Sequence, residues 1–348
     1  MKKFNISNRI IGSDEPCFVI AEMGLAHDGS LGSAYAFIDA AAKAGADCVK
    51  FQTHIAEAEG TNQEKFRVNT FPQDETRQDY WKRTAFSKSQ WFDLKAYADS
   101  LNIVFMSSAF SIEAMNLLND IGIPAWKVGS GEMTNLPLLE AMVNTKKPIL
   151  LSTGMSSWSE IDKSVDYIQK NETSVLVFQC VNRYPCPPEH IGLNVIEELQ
   201  MRYDLPIGFS DHSGDPSVGF AAVVKGSCML ECHVTFNKQG FGPDNSSSLT
   251  FDEFRDMIRS IRLLEKINKN PMDKDKEAEE LYETRKLFTK SVVLNKDLEA
   301  GCIITKEDLD YKNPGTGIPV NEYEKVIGRT TRKKLYKDEL FSWSELVK

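Results

Sequence analysis

The sequence predicts an α/β protein, a (β/α)8 TIM barrel followed by a small C-terminal domain. Eight apolar runs of strand length recur between Cys17 and Thr235, most of them separated by segments of helical periodicity. Near-continuous apolar strands alternating with amphipathic helices indicate a parallel sheet covered by helices. Each run also finishes on polar or charged residues, as barrel strands do when their C-terminal ends meet at one mouth. After residue 268 this rhythm stops and a shorter pattern of small strands and turns replaces it.

In order, the strands are CFVIAEMG, DCVKFQTH, IVFMSSAF, AWKVGSGE, PILLSTGM, SVLVFQCV, PIGFSDHS and CMLECHVT. Helical periodicity is clearest in LGSAYAFIDAAAKAGA, SQWFDLKAYADSLN, SIEAMNLLNDIG, WSEIDKSVDYIQK and TFDEFRDMIRSIRLLEKI. Eight such units match a barrel in count and size. An open doubly wound sheet would need a glycine-rich phosphate turn after its first strand, and EMGLAHDG contains no GxGxxG. Residues 55–88 form a polar insertion after the second strand, on the side where barrel enzymes keep their active-site loops. The stretch from Lys266 to Lys286 is charged and lacks an apolar face, so it reads as a linker with a helical portion. The expected domains are a barrel at 1–268, a linker at 269–288 and a C-terminal domain at 289–348. A domain of that size is small for an independent core and is expected to dock on something.

Composition narrows the function. The 348 residues are 41% hydrophobic and 26% charged, with a net charge of −9 and no long basic block. A nucleic-acid or anionic membrane surface is therefore not expected. The N-terminus MKKFNISNRI has no apolar core or cleavage site of a signal peptide, and no apolar run approaches bilayer length, so a cytoplasmic protein is expected. Seven cysteines, an odd number, lie mostly inside strand-like runs, which fits reduced buried thiols. The CxxC pairs of structural zinc sites are absent.

The polar strand ends are Glu22, Lys50 with Gln52, Ser107 with Ser108, and Lys127 with Ser130 and Glu132. They continue with Ser152 and Thr153, Gln179 and Asn182, Ser210 to His212, and Glu231 with His233. One such residue would only satisfy loop backbone; a polar finish on all eight strands points to a converging site. Lys50 and Lys127 are too costly to bury alone. Either each pairs with a carboxylate such as Glu22 or Glu132, or both grip an anionic ligand with the hydroxyls of Ser130, Ser152 and Ser210. A Schiff-base lysine is the rival use. His212 and His233, two of only five histidines, lie 21 residues apart at the ends of successive strands. They are either satisfied core histidines or two ligands of one divalent ion, Mn, Mg or Co, flanked by Glu231 and Asp211.

The motifs EMGLAHDG, VKFQTH, WKVGSGE, LSTGM, GFSDHS, ECHVT, FGPDNSSSLT and PGTGI stand in this order along nearly the whole chain. In them the sequence resembles the sialic acid synthase family. The resemblance implies a barrel followed by an antifreeze-like (SAF) domain, and a domain-swapped homodimer with that domain over the partner's site. It also implies a divalent metal and condensation of phosphoenolpyruvate with an open-chain N-acetylated amino sugar, N-acetylmannosamine or a 2,4-diacetamido-trideoxyhexose. By matching motifs, Lys50, Lys127, Ser130, Ser152, Asn182 and Ser210 would hold phosphoenolpyruvate, and His212 and His233 the metal. Glu22, Gln52, Tyr184, Glu231 and Asp244 would contact the sugar, with Glu22 also handling a proton. The family's NHNG reads AHDG here, at His27 and Asp28, and the arginine usual before PGTGI is Asn313, preceded by Lys312. Asparagine cannot offer arginine's forked donors, which leaves the sugar open and makes Lys312 a candidate sugar contact. A metal-dependent or Schiff-base aldolase and a non-catalytic sugar-binding paralogue are the alternative functions.

Overall fold

A short hairpin that the sequence pattern did not reveal precedes the barrel. Strand β1 (Phe4–Ile6) pairs antiparallel with β2 (Arg9–Ile11). Phe4, Ile6 and Ile11 are buried in one cluster with Phe18, Ile20, Met106, Leu150, Leu176 and Met229, which lie in the barrel strands. The hairpin thus plugs the apolar N-terminal end of the barrel, leaving the polar strand ends to form the other mouth. The computed structural model describes residues 4–61, 63–66 and 72–348.

The eight predicted runs are the eight barrel strands: β3 (Phe18–Gly24), β4 (Cys48–Thr53), β5 (Val104–Ala109), β6 (Trp126–Val128), β7 (Ile149–Ser152), β8 (Val175–Cys180), β9 (Ile207–Asp211) and β10 (Met229–Thr235). Each pairs in parallel with the next, and β10 pairs with both β9 and β3, closing the barrel. A two-residue strand, β11 (Leu249–Thr250), extends β10. The expected helices form at Leu31–Ala44, Lys88–Ser100, Ile112–Ile121, Trp158–Lys170 and Phe251–Asn268, and three more at Leu136–Asn144, Asn194–Tyr203 and Pro216–Val224 complete the outer layer. Ser30, Ser87 and Ser111 start three of them by accepting a backbone N–H of the first turn, which satisfies a donor the helix itself cannot.

Strand periodicity sorts the side chains. On β3, Phe18 and Ile20 join the inner cluster while Val19, Ala21 and Met23 pack under the helices; on β10, Met229 lies inside while Leu230, Cys232 and Val234 lie outside. Continuing the inner series by two residues reaches Glu22 on β3, Lys50 and Gln52 on β4, Ser108 on β5, and Glu231 and His233 on β10. Register then makes neighbours of them, with Glu22 opposite both Lys50 and His233, Ser108 opposite Lys127, and Ser210 opposite Glu231.

The polar residues out of this phase serve the loops. Ser107 bonds Thr53, Thr153 donates to the Phe178 carbonyl, Gln179 to the Ile191 carbonyl, and Asp211 accepts from Ser213. Ser107, Thr153, Gln179 and Asp211 are therefore engaged in bonds within the barrel wall and its loops rather than in the converging site.

The insertion at 55–88 carries helices Ala56–Glu59 and Arg77–Thr84; its residues 62 and 67–71 lie outside the described set. Chain contacts divide the protein into units Met1–Asn268 and Lys269–Lys348. The second unit begins with two short helices, Lys274–Glu280 and Tyr282–Phe288. It then pairs β12 (Ser291–Leu294) with β13 (Leu309–Lys312) and β14 (Thr330–Thr331) with β15 (Leu346–Val347) around its own core of Val292, Leu294, Ile304, Ile318, Val326 and Phe341. Among the described residues no helix is long and apolar enough to cross a membrane.

Candidate active site at the barrel mouth

A cavity of about 490 Å³ opens over the strand ends, a size suited to small molecules. Glu22, Lys50, Gln52, Lys127, Ser130, Ser152, Asn182, Tyr184, Ser210, His212, Glu231, His233 and Asp244 all line it. Lys312 lies in the second unit, where its ammonium pairs with Asp338 at 2.5 Å and Asp310 at 3.6 Å. Beside it, Asn313 donates to the Leu287 and Thr289 carbonyls.

At the cavity floor two lysines alternate with two glutamates. Lys50 Nζ lies 2.7 Å from Glu22 Oε2 and 3.7 Å from Glu231 Oε2, and Lys127 Nζ lies 3.0 Å from Glu231 Oε1. Lys50 also donates to Ser108, and Ser210 to Glu231. Lys127 therefore takes Glu231 rather than Glu132, whose carboxylate accepts from Asn135. Burial raises Glu22, helped by the Glu231 charge and opposed by Lys50, to about 7. Burial works the same way on Glu231, but Lys127 and Lys50 overcome it and hold this carboxylate at about 2. Glu231 lies between two ammonium groups and stays ionised, whereas Glu22 faces one and shares it. With Glu22 protonated, two ammonium groups face one carboxylate, and the floor has a positive charge left for an anion.

The donors around that floor are set for such a ligand. Among the described residues, the buried Ser152 hydroxyl has no hydrogen-bond partner. Ser130 Oγ accepts from the Gly154 amide. A Cβ on Gly154 would lie 2.4 Å from Asn182 Oδ1 and 2.7 Å from Ser130 Oγ, so only glycine lets Ser130 and Asn182 approach this closely.

The two histidines stand at the side of the cavity, buried, with ring centroids 5.4 Å apart. His212 Nδ1 donates to the Val181 carbonyl at 2.8 Å, while Nε2 lies 3.2 Å from the Tyr184 hydroxyl, and Tyr184 stacks on the ring at 4.1 Å. A backbone carbonyl holding Nδ1–H turns the Nε2 lone pair outward, the usual arrangement of a metal-binding imidazole. Burial opposes charge on His212, but Cys180, the Val181 carbonyl and Glu231 outweigh it and lift it to about 9. Metal binding would have to displace the Nε2 proton. Burial lowers His233 to about 4 against the pull of Asp244, so that ring is neutral, the ligating form. Among the described residues no three His, Cys, Asp or Glu side chains gather as a metal cage. The donor set fits an ion held by two imidazoles and otherwise by oxygen from water or substrate.

An outer rim escaped the sequence reading. His54, Glu59, Glu64, Arg77, Trp81 and Phe110 also line the cavity, most of them from the 55–88 insertion or its edge, beside the polar strand end Glu132. Its polar composition after a barrel strand was the available signal; the individual residues carried none.

A closed parallel barrel with a buried lysine–carboxylate floor and two imidazoles at its catalytic face defines a barrel enzyme. The chain belongs to the NeuB family, whose model matches residues 37–272, and a SAF domain matches residues 289–347. It is 32% identical over 328 residues to the N,N'-diacetyllegionaminic acid synthase of Campylobacter jejuni, covering 92% of this chain and 98% of that one. It is also 32% identical over 341 residues to the human N-acetylneuraminate-9-phosphate synthase, covering 95% and 93%. Among solved structures, the N-acetylneuraminic acid synthetase of Leptospira borgpetersenii, in complex with citrate, is 30% identical with a TM-score of 0.71. That match covers 82% of this chain and 96% of that one.

Proposed function

We propose that the protein condenses phosphoenolpyruvate with the open-chain form of an N-acetylated amino sugar, giving a sialic-acid-like 2-keto-3-deoxy acid and phosphate. The observation that carries this reading is the floor of Lys50, Glu22, Glu231 and Lys127. It joins an anion-binding surplus of positive charge to one carboxyl that holds a proton near neutrality. The names of the relatives, synthases of legionaminic and N-acetylneuraminic acids, support it.

In this reading Lys50, Lys127, Ser130, Ser152, Asn182 and Ser210 bind phosphoenolpyruvate, the ammonium groups facing its negative charges. Gln52, Tyr184, Glu231 and Asp244 orient the sugar. The enol carbon attacks the aldehyde carbon, forming the new C–C bond, and Glu22 gives its proton to the aldehyde oxygen. The oxocarbenium centre left at C2 takes up water, which gives one proton back to the Glu22 carboxylate as the C2–O bond forms. The resulting hemiketal expels phosphate by C–O cleavage and becomes the ketone. Each lysine contact to the phosphate strengthens as charge builds on it, worth about 1.5–3 kcal/mol for a charged hydrogen bond. His212 and His233 would hold a divalent ion, Mn or Mg, which would supply Lewis-acid polarisation of the aldehyde. We further propose a domain-swapped homodimer in which Lys312 serves the partner's site.

The test uses phosphoenolpyruvate labelled in its bridging oxygen and a panel of N-acetyl sugars, with products read by mass. The label is expected in inorganic phosphate. Its retention in the sugar acid would mean P–O cleavage and a different reaction, and pyruvate serving in place of phosphoenolpyruvate would mean an aldolase.

A further inference from the structure

His54 follows strand β4 in the run VKFQTH, and its ring is caught between two aromatic faces. Trp81 lies parallel to it at 4.9 Å and 9°, and Phe110 on the other side at 4.4 Å and 8°. Nδ1 lies 2.8 Å from both oxygens of Glu59, on the helix Ala56–Glu59. Nε2 lies 3.3 Å from Gln52 Oε1. The far end of the same amide, Gln52 Nε2, donates to Glu22 Oε1 at 2.9 Å. The side chains of His54 and Glu59 are 6% and 11% exposed, so water screens this line of contacts little.

The oxygen and nitrogen of a glutamine amide are nearly the same size, so packing cannot choose which of them faces Glu22. The partner at the other end must choose. An imidazole N–H aimed at Oε1 does this, turning the NH2 toward the carboxyl. Glu59 places its carboxylate oxygens at the opposite ring nitrogen, and the Trp81 and Phe110 faces hold the ring in the plane that joins the two partners. We infer that His54, anchored by Glu59 and clamped by Trp81 and Phe110, is a positioning residue that fixes the Gln52 amide and through it the Glu22 carboxyl. A histidine serving packing alone would not require a carboxylate on one nitrogen and an amide oxygen on the other.

The inference rests on the proposed role of Glu22 in the condensation, and the test separates the two. In the full-length enzyme, His54→Phe keeps an aromatic ring in the clamp and loses both hydrogen bonds. We expect kcat to fall roughly 10- to 100-fold, less than the roughly 10²–10⁴-fold that a general acid itself contributes, while the KM for phosphoenolpyruvate stays within about twofold. Gln52→Ala should lower kcat comparably, and the double variant should be no slower than Gln52→Ala alone, because one residue acts through the other. If His54→Phe does not fold, Glu59→Gln carries the test. It should lower kcat in the same direction, with Glu59→Asp restoring part of the loss. Unchanged kcat, a rise only in the KM for the sugar, or fully additive losses in the double variant would overturn the inference. If the wild-type enzyme turns over no pair of phosphoenolpyruvate and sugar, the proposed reaction fails instead. His54 is then judged from the side-chain amide of Gln52 in glutamine-labelled protein. Its hydrogen exchange should speed up at least tenfold in His54→Phe, and an unchanged rate would overturn the positioning role.

Discussion

Lys50 and Glu22 face each other across strands β4 and β3, Nζ to Oε2 at 2.7 Å, both buried. The pair is not a self-contained salt bridge, because Lys50 also reaches Glu231 at 3.7 Å and Lys127 completes the far side. An isolated buried ion pair is weak evidence for stability. A shared cluster at a barrel mouth is better explained by what it binds.

Removing either ammonium group should therefore cost binding first. Lys50→Met and Lys127→Met are each expected to weaken phosphoenolpyruvate turnover by about one to two orders of magnitude, the rate equivalent of one charged hydrogen bond. Lys127→Met should also lower the melting temperature more than Lys50→Met does, since it strips the nearer cation from the ionised Glu231. Steady-state kinetics and thermal melts check both. A borohydride-trapped pyruvate adduct on either lysine would favour the Schiff-base alternative.

The pH profile should carry the signature of Glu22. Its folded value of about 7 lies above the ordinary carboxylate range, so the fold favours the protonated form. Its stability contribution is full below the unfolded value near 4.5 and is lost as pH rises through 7. As the proton donor it should make kcat fall across that same upper limb. Glu22→Gln should remove the limb together with most activity. Glu231, held at about 2, stays charged throughout and adds no step. A wild-type profile flat from pH 6 to 8, or a limb that survives Glu22→Gln, would exclude Glu22 as the acid; about 7 is the centre expected for it.

Chelation should abolish activity and Mn or Mg should restore it, with His212→Ala no longer responding to added metal. Full activity of His212→Ala in chelator would remove the metal from the proposal.

The last prediction concerns the second unit. A chain ending near Glu283 lacks β12 to β15 and Lys312. It should still bind phosphoenolpyruvate yet lose most turnover if Lys312 acts in a partner's site. Mixing it with full-length Glu22→Ala should restore some activity, because an exchanged dimer contains one complete site. No recovery after exchange is verified by native mass would exclude the cross-subunit arrangement.

Much of the barrel was legible because one rule repeats. All eight apolar runs became strands, and within them the two-residue period placed Glu22, Lys50, Glu231 and His233 on the inner face. That periodicity is local, set by backbone geometry alone, so a single chain displays it without homologues. The same rule, applied with phase, separates Ser108 from Ser107 and Ser210 from Asp211. Counting polar ends without phase overstated the site.

Pairing between distant segments was decided only by the tertiary structure. Lys127 could have met Glu132, five residues away, yet it meets Glu231, 104 residues away. Closure of β10 onto β3 and β9 brings that carboxylate across the barrel floor, while the turn after β6 gives Glu132 to Asn135. The β1–β2 plug was invisible because three-residue strands carry too little pattern to register. The His54 clamp draws on β4, the insertion and the end of β5, and nothing local to any of them requires the others. Composition and periodicity determine which face of each strand is polar. Which polar group meets which depends on register, closure and loop packing, and these exist only once the whole chain has folded.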